Sequence, residues 1–433
     1  MRILALYPFL PYPVVSGAAQ RGFYVLDILA SKHEVTLISF VGRDDSPSEL
    51  PFWKSYSLFA QRPITVPRQT EEKLSPEGKR LRALRQRSRV RVPEGLTFFD
   101  TPAMWNRIAE LDIGQFDAVH VRFAGMTPYA LALKQAAPHL RLVVDLDDNP
   151  SLLLYRRLID SMKKLHLRTF VWQLKELLRT FAFELDELRK FDSVWVCSDV
   201  DSSRMSYRIG PDRIKVVENI VDAHNLASIN RYNSEPAVLM IASFDYDPNK
   251  TGAEFFVAKV WPRIRSVIPE AQLWLVGKNS QSRIQEWSGK QGILVTGMVD
   301  DVRPYLERAM ISVAPIFVGT GTKLKILEAL GAGLPVVTTT IGVEGIEARN
   351  GVNLLIANTS ENFAEHCIRL LTDQTLRDQF AASGKGLIRE KYDLPVMSRR
   401  ILESYETFGC GLGRGDREQR SGVPGGEGAA VPL

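Results

Sequence analysis

Short apolar segments alternate with stretches of helical periodicity along this chain, and the same order recurs in both halves of its 433 residues. The apolar segments span residues 3–7, 33–40, 118–122, 142–146 and 193–197, and then 237–242, 273–277, 294–297, 311–314 and 336–338. Short runs rich in Val and Leu, with helices between them, are typical of buried parallel strands. The sequence therefore predicts an α/β protein with two doubly wound parallel sheets, each covered by helices on both faces.

A polar stretch at residues 222–236 separates the two halves and is interpreted as a linker. It divides the chain into an N-terminal domain, 1–221, and a C-terminal domain, 237–395, followed by a closing helix at 396–408. Residues 151–190 are expected to form one or two helices beside the first sheet. Residues 409–433, rich in Gly, Arg and Glu without a periodic apolar face, are predicted to be disordered. Two facing domains of this kind leave a cleft at the carboxyl ends of their strands, where open α/β sheets bind ligands.

Membrane-spanning and disulfide-rich classes are not favoured. No apolar run approaches the ~20 residues that a spanning helix needs, and MRILALYPFLPYP is interpreted as a strand and loop rather than a signal peptide. Cys197, Cys367 and Cys410 are far apart and odd in number, which indicates neither a disulfide framework nor a zinc site. We expect a cytoplasmic protein that could also attach peripherally to the inner face of the membrane.

The net charge of +5 is concentrated in two places. Residues 79–91, KRLRALRQRSRVR, hold seven basic residues and no acid. A second group lies on a predicted helix and comprises Arg156, Arg157, Lys163, Lys164 and Arg168. Two interpretations stay open, a solvated helical face and docking on anionic lipid, for which 79–91 is the first candidate. No nucleic-acid-binding motif accompanies the charge, so nucleic acid is not an expected partner.

A glycine-containing loop follows the strand at 311–314 and leads into a helix predicted to begin near Lys323. Gly319 and Gly321 permit a tight turn and a close approach of the backbone to a ligand. The N–H groups and dipole of the helix's first turn favour an anion such as a diphosphate, and Lys323 and Lys325 add cationic donors. The alternative is an ordinary capping turn with Thr322 as the N-cap.

Glu328 lies within the apolar run ILEALGAGLPVV. A carboxylate in such surroundings needs a partner, because burying it unpaired is costly. The hydroxyl groups of a ribose would be suitable donors. A salt bridge to Lys325 or Arg349 is the alternative, and the sequence leaves both open.

The string GTGTKLKILEALGAGLPVVTTTIGVEGI resembles the donor-binding motif of the retaining family 4 glycosyltransferases of the GT-B fold, most closely a bacterial branch with Gly-Thr-x-Lys/Arg-x-Lys-x-x-Glu-Ala. ASFDYDPNKTGAEFF, LWLVG and VTGMVDDVRPYL precede it in the family's order. The resemblance is strong over 237–395 and looser over 1–222, where PYPVVSGAAQR matches. It implies two facing Rossmann-like domains, with a nucleotide-sugar donor bound mainly by the second.

The resemblance also implies roles for individual residues. Glu328 would hold the ribose, Gly297 would frame the base, and residues 319–325 would cradle the diphosphate and sugar. Further donor contacts are expected from Ser243, Asn249, Lys250 and Glu344 in the C-terminal domain, and from Gly17 and Arg21 across the cleft.

Three positions are candidates for the chemistry. The family has an acid eight residues before the ribose glutamate, where this chain has Thr320. Many relatives carry a histidine after the strand at 118–122; here the matching residue is Arg122, which could stabilise a leaving phosphate, while His120 is expected to be packed within the strand. Asp147 is the first choice for contacting the acceptor, with a helix cap as the alternative.

The resemblance implies transfer of a sugar from a UDP- or GDP-sugar to a hydroxyl of a glycan or lipid-linked acceptor, with retention of configuration, in bacterial surface or exopolysaccharide synthesis. The sequence Asp145-Leu-Asp147 is not taken as a metal motif, and neither metal nor cofactor is expected. A sugar-nucleotide epimerase of the same fold and a non-catalytic sugar-nucleotide-binding protein are the alternatives. A nicotinamide dehydrogenase is disfavoured because neither half carries Gly-x-Gly-x-x-Gly in its first turn.

Overall fold

The computed structural model describes residues 1–12, 16–41, 63–68, 71–85, 92–163, 167–229, 235–279 and 283–409. Several of the sequence predictions lie wholly or partly outside these ranges. They concern residues 13–15 of PYPVVSGAAQR, residues 86–91 of the first basic cluster, Lys164 of the second, residues 230–234 of the linker, Cys410, and the tail beyond Gly409.

The N-terminal domain contains a parallel sheet of seven strands in the order β3-β2-β1-β4-β5-β6-β7. The strands are β1 Arg2–Tyr7, β2 Glu34–Val41, β3 Ile64–Pro67, β4 Ala118–Arg122, β5 Arg141–Asp145, β6 Ser193–Val196 and β7 Ile214–Val216. The central strands are buried along nearly their whole length, as expected for a sheet with helices on both faces. The five predicted strands are confirmed, and the two that were missed are the short edge strands β3 and β7.

Seven α-helices accompany this sheet in the described part of the chain, and an eighth lies in the linker and packs against the C-terminal domain. They are α1 Gly17–Ala30, α2 Pro76–Arg85, α3 Pro102–Ala109, α4 Thr127–Ala136, α5 Pro150–Lys163, α6 Leu167–Glu187, α7 Asp199–Ile209 and α8 Ala223–Ala227. The long amphipathic stretch is therefore a pair of helices, α5 and α6, and the predicted linker contains the short helix α8. Among all the described helices, none is long and apolar enough to cross a membrane.

The C-terminal domain contains a parallel sheet of six strands in the order β10-β9-β8-β11-β12-β13. The strands are β8 Glu235–Ile241, β9 Gln272–Val276, β10 Ile293–Gly297, β11 Ala309–Ala314, β12 Val336–Thr338 and β13 Leu355–Ile356. Its helices are α9 Asp247–Phe255, α10 Trp261–Val267, α11 Arg303–Arg308, α12 Leu324–Gly331, α13 Thr340–Val343, α14 Ser360–Thr372 and α15 Gln374–Lys391. The predicted strands are again present, and the missed one, β13, is an edge strand of two residues.

The closing helix, α16 Leu394–Gly409, returns to the N-terminal domain. Its side chains Met397, Ile401 and Tyr405 are fully buried in the core that packs against β1. The Tyr405 hydroxyl lies 2.8 Å from Nδ1 of His120 on β4. The chain therefore connects the domains twice, once before β8 and once before α16, where Val221 and Asp393 form a parallel bridge.

Candidate functional site

The loop between β11 and α12 lies at the interface of the two domains. Gly319 has φ +148° and Gly321 has φ +67°, values that favour glycine. A Cβ on Gly321 would lie 2.5 Å from the main-chain oxygen of Asp147 and 2.5 Å from Oδ1 of Asp148. The loop backbone therefore rests directly against the turn that follows β5.

Helix α12 begins at Leu324 with Lys323 in the N-cap position. The alternative that Thr322 caps this helix is wrong, because its hydroxyl accepts a hydrogen bond of 2.5 Å from Nδ2 of Asn219 in the N-terminal domain. The first N–H groups of a helix lack intrahelical partners and carry partial positive charge. Nζ of Lys323 lies at the same end, where it donates to the Gly321 carbonyl at 2.6 Å. This end of α12 is electropositive.

Lys325 brings two predicted donor residues together. Its Nζ donates to Oδ1 of Asn249 at 2.8 Å, and Nδ2 of Asn249 donates to the Ser243 carbonyl at 2.8 Å. Asn249 and Lys250 lie in the first turn of α9. Burial lowers the pKa of Lys323 and of Lys325 to about 8 each. Two poorly hydrated ammonium groups beside a helix N-terminus form a site suited to an anion.

Glu328 lies one turn further along α12. Burial raises the pKa of its carboxyl group to about 7, although a hydrogen bond with Gln20 of α1 and the charge of Lys325 act in the opposite direction. Among the described residues Glu328 forms no salt bridge within 4.0 Å, so the predicted alternative of a pair with Lys325 or Arg349 is wrong. Gln20, the hydrogen-bonding group that acts on this pKa, is a neutral amide, which leaves the carboxylate able to accept bonds from a ligand.

Gly297 ends β10, the strand expected to frame the base. It has φ +75°, and its carbonyl accepts from the Gly277 N–H at 3.0 Å. The position at the carboxyl end of an edge strand fits a base-binding turn, but no feature of the loop selects one base.

Glu344 does not point freely into the donor site as predicted. Its Oε2 lies 2.5 Å from Nη2 of Arg156, and its Oε1 accepts from Arg204, so both oxygens are bound by the N-terminal domain. Arg156 also donates to the carbonyl of Gly319. Glu344 therefore joins the domains beside the donor loop.

We expect Glu344→Ala to weaken domain closure, since it removes two partly buried charged contacts worth about 1.5–3 kcal/mol each. Small-angle scattering should give a larger radius of gyration than for wild type, and the dissociation constant of the donor should rise roughly tenfold or more. Glu347→Ala is the matched control, because Glu347 pairs with Lys391 of the same domain. Equal scattering and affinity for the two variants would show that the contact does not hold the domains together.

The ends of β4 and β5 carry a buried ionic cluster. Arg122 and Asp145 are partners in the strand register. Nη1 of Arg122 lies 2.7 Å from Asp145 Oδ2, and Nη2 of Arg21 lies 2.6 Å from Asp145 Oδ1, with all three side chains fully buried. Burial alone would raise the pKa of Asp145, but the two guanidinium groups hold it below its usual range.

This cluster corrects two predictions about the diphosphate. Arg21 and Arg122 were expected to reach it, yet both side chains have no exposed surface and are bound to Asp145. Gly17 does approach the donor helix, because a Cβ there would lie 3.3 Å from Cβ of Leu324. The first turn of α1 therefore lies against α12 through its backbone.

Asp147 is the most accessible acid of the buried cluster, with a side chain 16% exposed. Its Oδ2 lies 2.6 Å from Nη2 of Arg122, and burial raises its pKa to about 7 against the influence of that arginine. The alternative that Asp147 caps α5 is wrong, since Asn149 Oδ1 accepts from the Leu152 N–H at 3.1 Å. The neighbouring Asp148 accepts from the Thr320 hydroxyl at 3.1 Å, so Thr320 is directed toward the N-terminal domain.

The prediction that His120 is a packed residue is confirmed. It is fully buried, and burial lowers its pKa to about 4. A neutral ring bound to Tyr405 inside the sheet is not placed to exchange protons with a substrate.

The described part of the chain contains no candidate metal site. Within these ranges, no group of three or more His, Cys, Asp or Glu side chains is arranged to hold a metal ion. The expectation of a metal-free site stays a prediction.

Five residues of the N-terminal domain reach the donor loop, α12 or Glu344 beside them and were not predicted to do so. They are Gln20, Asp148, Arg156, Arg204 and Asn219. Arg156 carried a signal in the sequence as a member of the second basic cluster, Gln20 lies within PYPVVSGAAQR, and Asp148 follows Asp145-Leu-Asp147. Arg204 and Asn219 belong to no local motif.

Residues 235–373 match the family model described as Glycosyl transferases group 1. This segment contains β8 to α14 and therefore every residue of the donor loop and α12. An uncharacterized 44.6 kDa protein in the cps region of Klebsiella pneumoniae is 28% identical over 176 residues. That match covers 39% of this chain and 44% of the Klebsiella protein, less than half of its length.

Solved structures match nearly the whole chain. Sucrose-phosphate synthase from Thermosynechococcus elongatus has a TM-score of 0.69 at 15% identity, covering 95% of this chain and all of the other. Anabaena HepE, solved with UDP-glucose, has a TM-score of 0.61 at 15% identity, with 94% and 100% covered. TarM from S. aureus has a TM-score of 0.66 at 10% identity, with 94% and 98% covered. At these identities the likeness is one of fold, and that fold is GT-B.

Proposed function

We propose that the chain, which has the GT-B fold and matches the family model Glycosyl transferases group 1 over residues 235–373, is a glycosyltransferase that transfers a sugar from a UDP- or GDP-sugar to a hydroxyl group of a glycan or lipid-linked acceptor. The observation that carries the proposal is the arrangement along α12. Lys323 and Lys325 flank its electropositive end, and Glu328 follows one turn later with a carboxylate bonded to a neutral amide. This spacing matches a diphosphate followed by a ribose.

The donor would bind with its diphosphate at the start of α12 and its ribose hydroxyls donating to Glu328. The base would lie toward Gly297 at the end of β10. HepE, which shares the fold, has been solved with UDP and glucose and with UDP-glucose, which supports a uridine nucleotide as the first to test. The two lysines and the helix dipole supply positive charge, so we propose that the diphosphate needs no metal ion.

In the reaction, the bond between the anomeric carbon and the diphosphate oxygen breaks, a bond to the acceptor oxygen forms, and the proton of the acceptor hydroxyl passes to the departing diphosphate. Negative charge grows on the departing diphosphate in the transition state. Preorganised N–H groups of the α12 terminus, with Lys323 and Lys325, would stabilise that charge most where it develops, which is what lowers a barrier. Retention of configuration is proposed from the resemblance of the motif at 319–346 to the retaining family.

We propose that Asp147 contacts the acceptor hydroxyl. It lies beside the donor loop and is partly accessible, and its pKa of about 7 would let it accept a hydrogen bond at neutral pH. Arg122 would then act as a positioning residue, holding Asp147 from within the buried cluster.

The cellular role is proposed to be the synthesis of a surface polysaccharide in the cytoplasm. The Klebsiella relative from a cps region supports the first part. The unpaired cysteines Cys197 and Cys367 are compatible with a reducing compartment.

The test is a panel of UDP-, GDP- and ADP-sugars, first by thermal shift and then by nucleotide release with glycan and lipid-linked acceptors. Binding to the native state raises the melting temperature, so the nucleotide that the site prefers should give the largest increase. Nucleotide release that depends on an acceptor is the expected result. Formation of a new epimer from UDP-GlcNAc without an acceptor would show that the protein is an epimerase rather than a transferase. Tight donor binding without release across all acceptors would favour a non-catalytic binder.

The lowered pKa values of Lys323 and Lys325 predict that donor binding takes up protons in alkaline solution. At about pH 8.5 much of each lysine is neutral, and a bound diphosphate would raise the pKa of both and recharge them. Calorimetry of UDP binding in buffers of different ionisation enthalpy should show this uptake. A double replacement of both lysines by arginine, which stays charged, should bind UDP without it. Uptake that persists in that variant would assign the protons to other groups.

A further inference from the structure

Helices α5 and α6 carry an unusual share of the exposed apolar surface. Of the fourteen large apolar side chains that are exposed in the described chain, six lie on these two helices. They are between 38% and 63% exposed and comprise Tyr155, Met162, Val171, Trp172, Leu174 and Leu178. An exposed apolar concentration of this kind marks an interaction surface more often than an ordinary solvated face.

On α6 the exposed apolar residues form a stripe. Val171, Leu174 and Leu178 follow one another at spacings of three and four residues, which places them on one side of a helix. On the opposite side, Gln173 and Glu176 are buried against the domain. We call Val171, Leu174 and Leu178 the α6 stripe.

Positive charge accompanies the α6 stripe. Arg168 and Lys175 are exposed on the same side of α6, and neither forms an ion pair with any other residue that the structure describes. Arg157 is exposed on α5.

Two acidic groups near the α6 stripe share one arginine. Glu176 faces inward, 2% exposed, and its Oε1 lies 2.7 Å from Nη1 of Arg179. Glu94, from the segment before α3, lies 3.0 Å from the same guanidinium group and interacts more weakly with the charge of Lys175. Arg168, Lys175 and Arg179 outnumber these two carboxylates, so the surface presents apolar side chains together with an excess of positive charge.

We propose that the outer face of α5 and α6 is a docking surface for an anionic lipid bilayer. An apolar stripe edged by Arg and Lys is the pattern of helices that lie in the membrane interface, with side chains in the headgroup region and cations at the phosphates. The buried core of a protein–protein interface, by contrast, is depleted in lysine. Charge complementarity thus selects a bilayer as the occupant.

Docking through this surface would place the cleft near its proposed acceptor. Arg156, on the same helix as Tyr155 and Arg157, bonds to the Gly319 carbonyl and to Glu344 beside the donor loop. Docking through α5 and α6 would hold the cleft close to the lipid headgroups, where a lipid-linked acceptor lies. The first basic cluster contributes less in the described residues, since Arg82 is paired with Asp100 and only Lys79 and Arg80 are fully exposed.

The test is co-sedimentation of the full chain with vesicles of phosphatidylcholine alone and of phosphatidylcholine mixed with phosphatidylglycerol. Wild type should bind the mixed vesicles and not the neutral ones. Arg168→Gln with Lys175→Gln should weaken binding roughly twentyfold, about fivefold for each charge. Leu174→Asp with Leu178→Asp should weaken it at least about tenfold.

Matched controls lie on the C-terminal domain. Val267→Asp with Val352→Asp places two acids on equally exposed valines, and Lys259→Gln with Lys290→Gln removes two exposed charges. Both control pairs should bind mixed vesicles as wild type does. All variants should keep the wild-type thermal shift with UDP, which separates loss of docking from loss of donor binding.

Three outcomes would overturn the proposal. Equal binding of wild type to neutral and anionic vesicles would remove the role of charge. Unchanged vesicle binding of both α6 variants would show that the docking surface lies elsewhere. A wild-type dimer that becomes a monomer in the Leu174→Asp, Leu178→Asp variant, with vesicle binding intact, would make a second copy of the chain the occupant.

Discussion

Replacing Glu328 with alanine is expected to abolish the rise in melting temperature that a donor nucleotide gives the wild type. A carboxylate that accepts hydrogen bonds from ribose hydroxyls contributes about 1.5–3 kcal/mol per bond, so losing two of them should weaken the donor roughly a hundredfold or more. At a donor concentration that saturates the wild type, the variant would be largely free. Differential scanning fluorimetry with the nucleotide chosen by the donor panel measures this directly.

Two control variants test whether the effect is specific to the carboxylate of Glu328. Glu365→Ala removes an exposed glutamate from α14, outside the donor site, and should leave the shift unchanged. Glu328→Gln keeps the shape and one acceptor oxygen, so it should restore part of the shift. Retention of the full shift by Glu328→Ala would remove the ribose assignment, because Glu328 would then act only as the partner of Gln20.

The largest stability effect is expected for Asp145→Ala, at about 3–5 kcal/mol of unfolding free energy. The substitution leaves the guanidinium groups of Arg21 and Arg122 buried without their shared carboxylate. For a domain of this size, such a loss corresponds to a melting temperature lower by roughly 6–20 °C. Thermal and urea unfolding followed by circular dichroism would measure it.

Glu34→Ala provides the comparison, since Glu34 pairs with Arg2 across β1 and β2 with both side chains about half exposed. A surface pair of this kind contributes about 0–1 kcal/mol, so the variant should unfold almost as wild type does. A similar small loss for Asp145→Ala would mean that water enters the cluster and solvates the arginines. The cluster would then not be the rigid base on which Asp147 depends.

The sequence was sufficient for the interior of both sheets and for the edge strand β10, and insufficient for the other three edge strands. Central strands such as β1 and β8 are continuous apolar runs because both of their faces are buried. The edge strands β3, β7 and β13 span four, three and two residues and have no such pattern. Their pairing depends on the neighbouring strand already being in place, which local sequence does not record.

The candidate site also has residues whose arrangement the sequence predicts and residues whose arrangement it does not. Lys323, Lys325 and Glu328 belong to one continuous segment, so their spacing alone indicates a phosphate site and a carboxylate one turn later. Arg21 and Arg122 were assigned to the donor from the family resemblance, Arg122 as the residue that matches the family's histidine. Their actual partner, Asp145, is selected by the register of β4 with β5 and by the packing of α1, which only the folded chain determines.

Contacts between the domains were the least predictable. Glu344 meets arginines from α5 and α7, 188 and 140 residues earlier in the chain. Such pairs follow from how two finished domains face each other. A motif in either domain alone does not contain that information.

The return of α16 to the first domain has a consequence for biosynthesis. The core against β1 includes Met397, Ile401 and Tyr405, which are among the last residues that the structure describes. A domain that leaves the ribosome first would ordinarily fold first. Here it must wait, with part of its apolar core uncovered, until the C-terminal domain has been synthesised and α16 has emerged. Completion of the N-terminal domain therefore depends on synthesis of the C-terminal one.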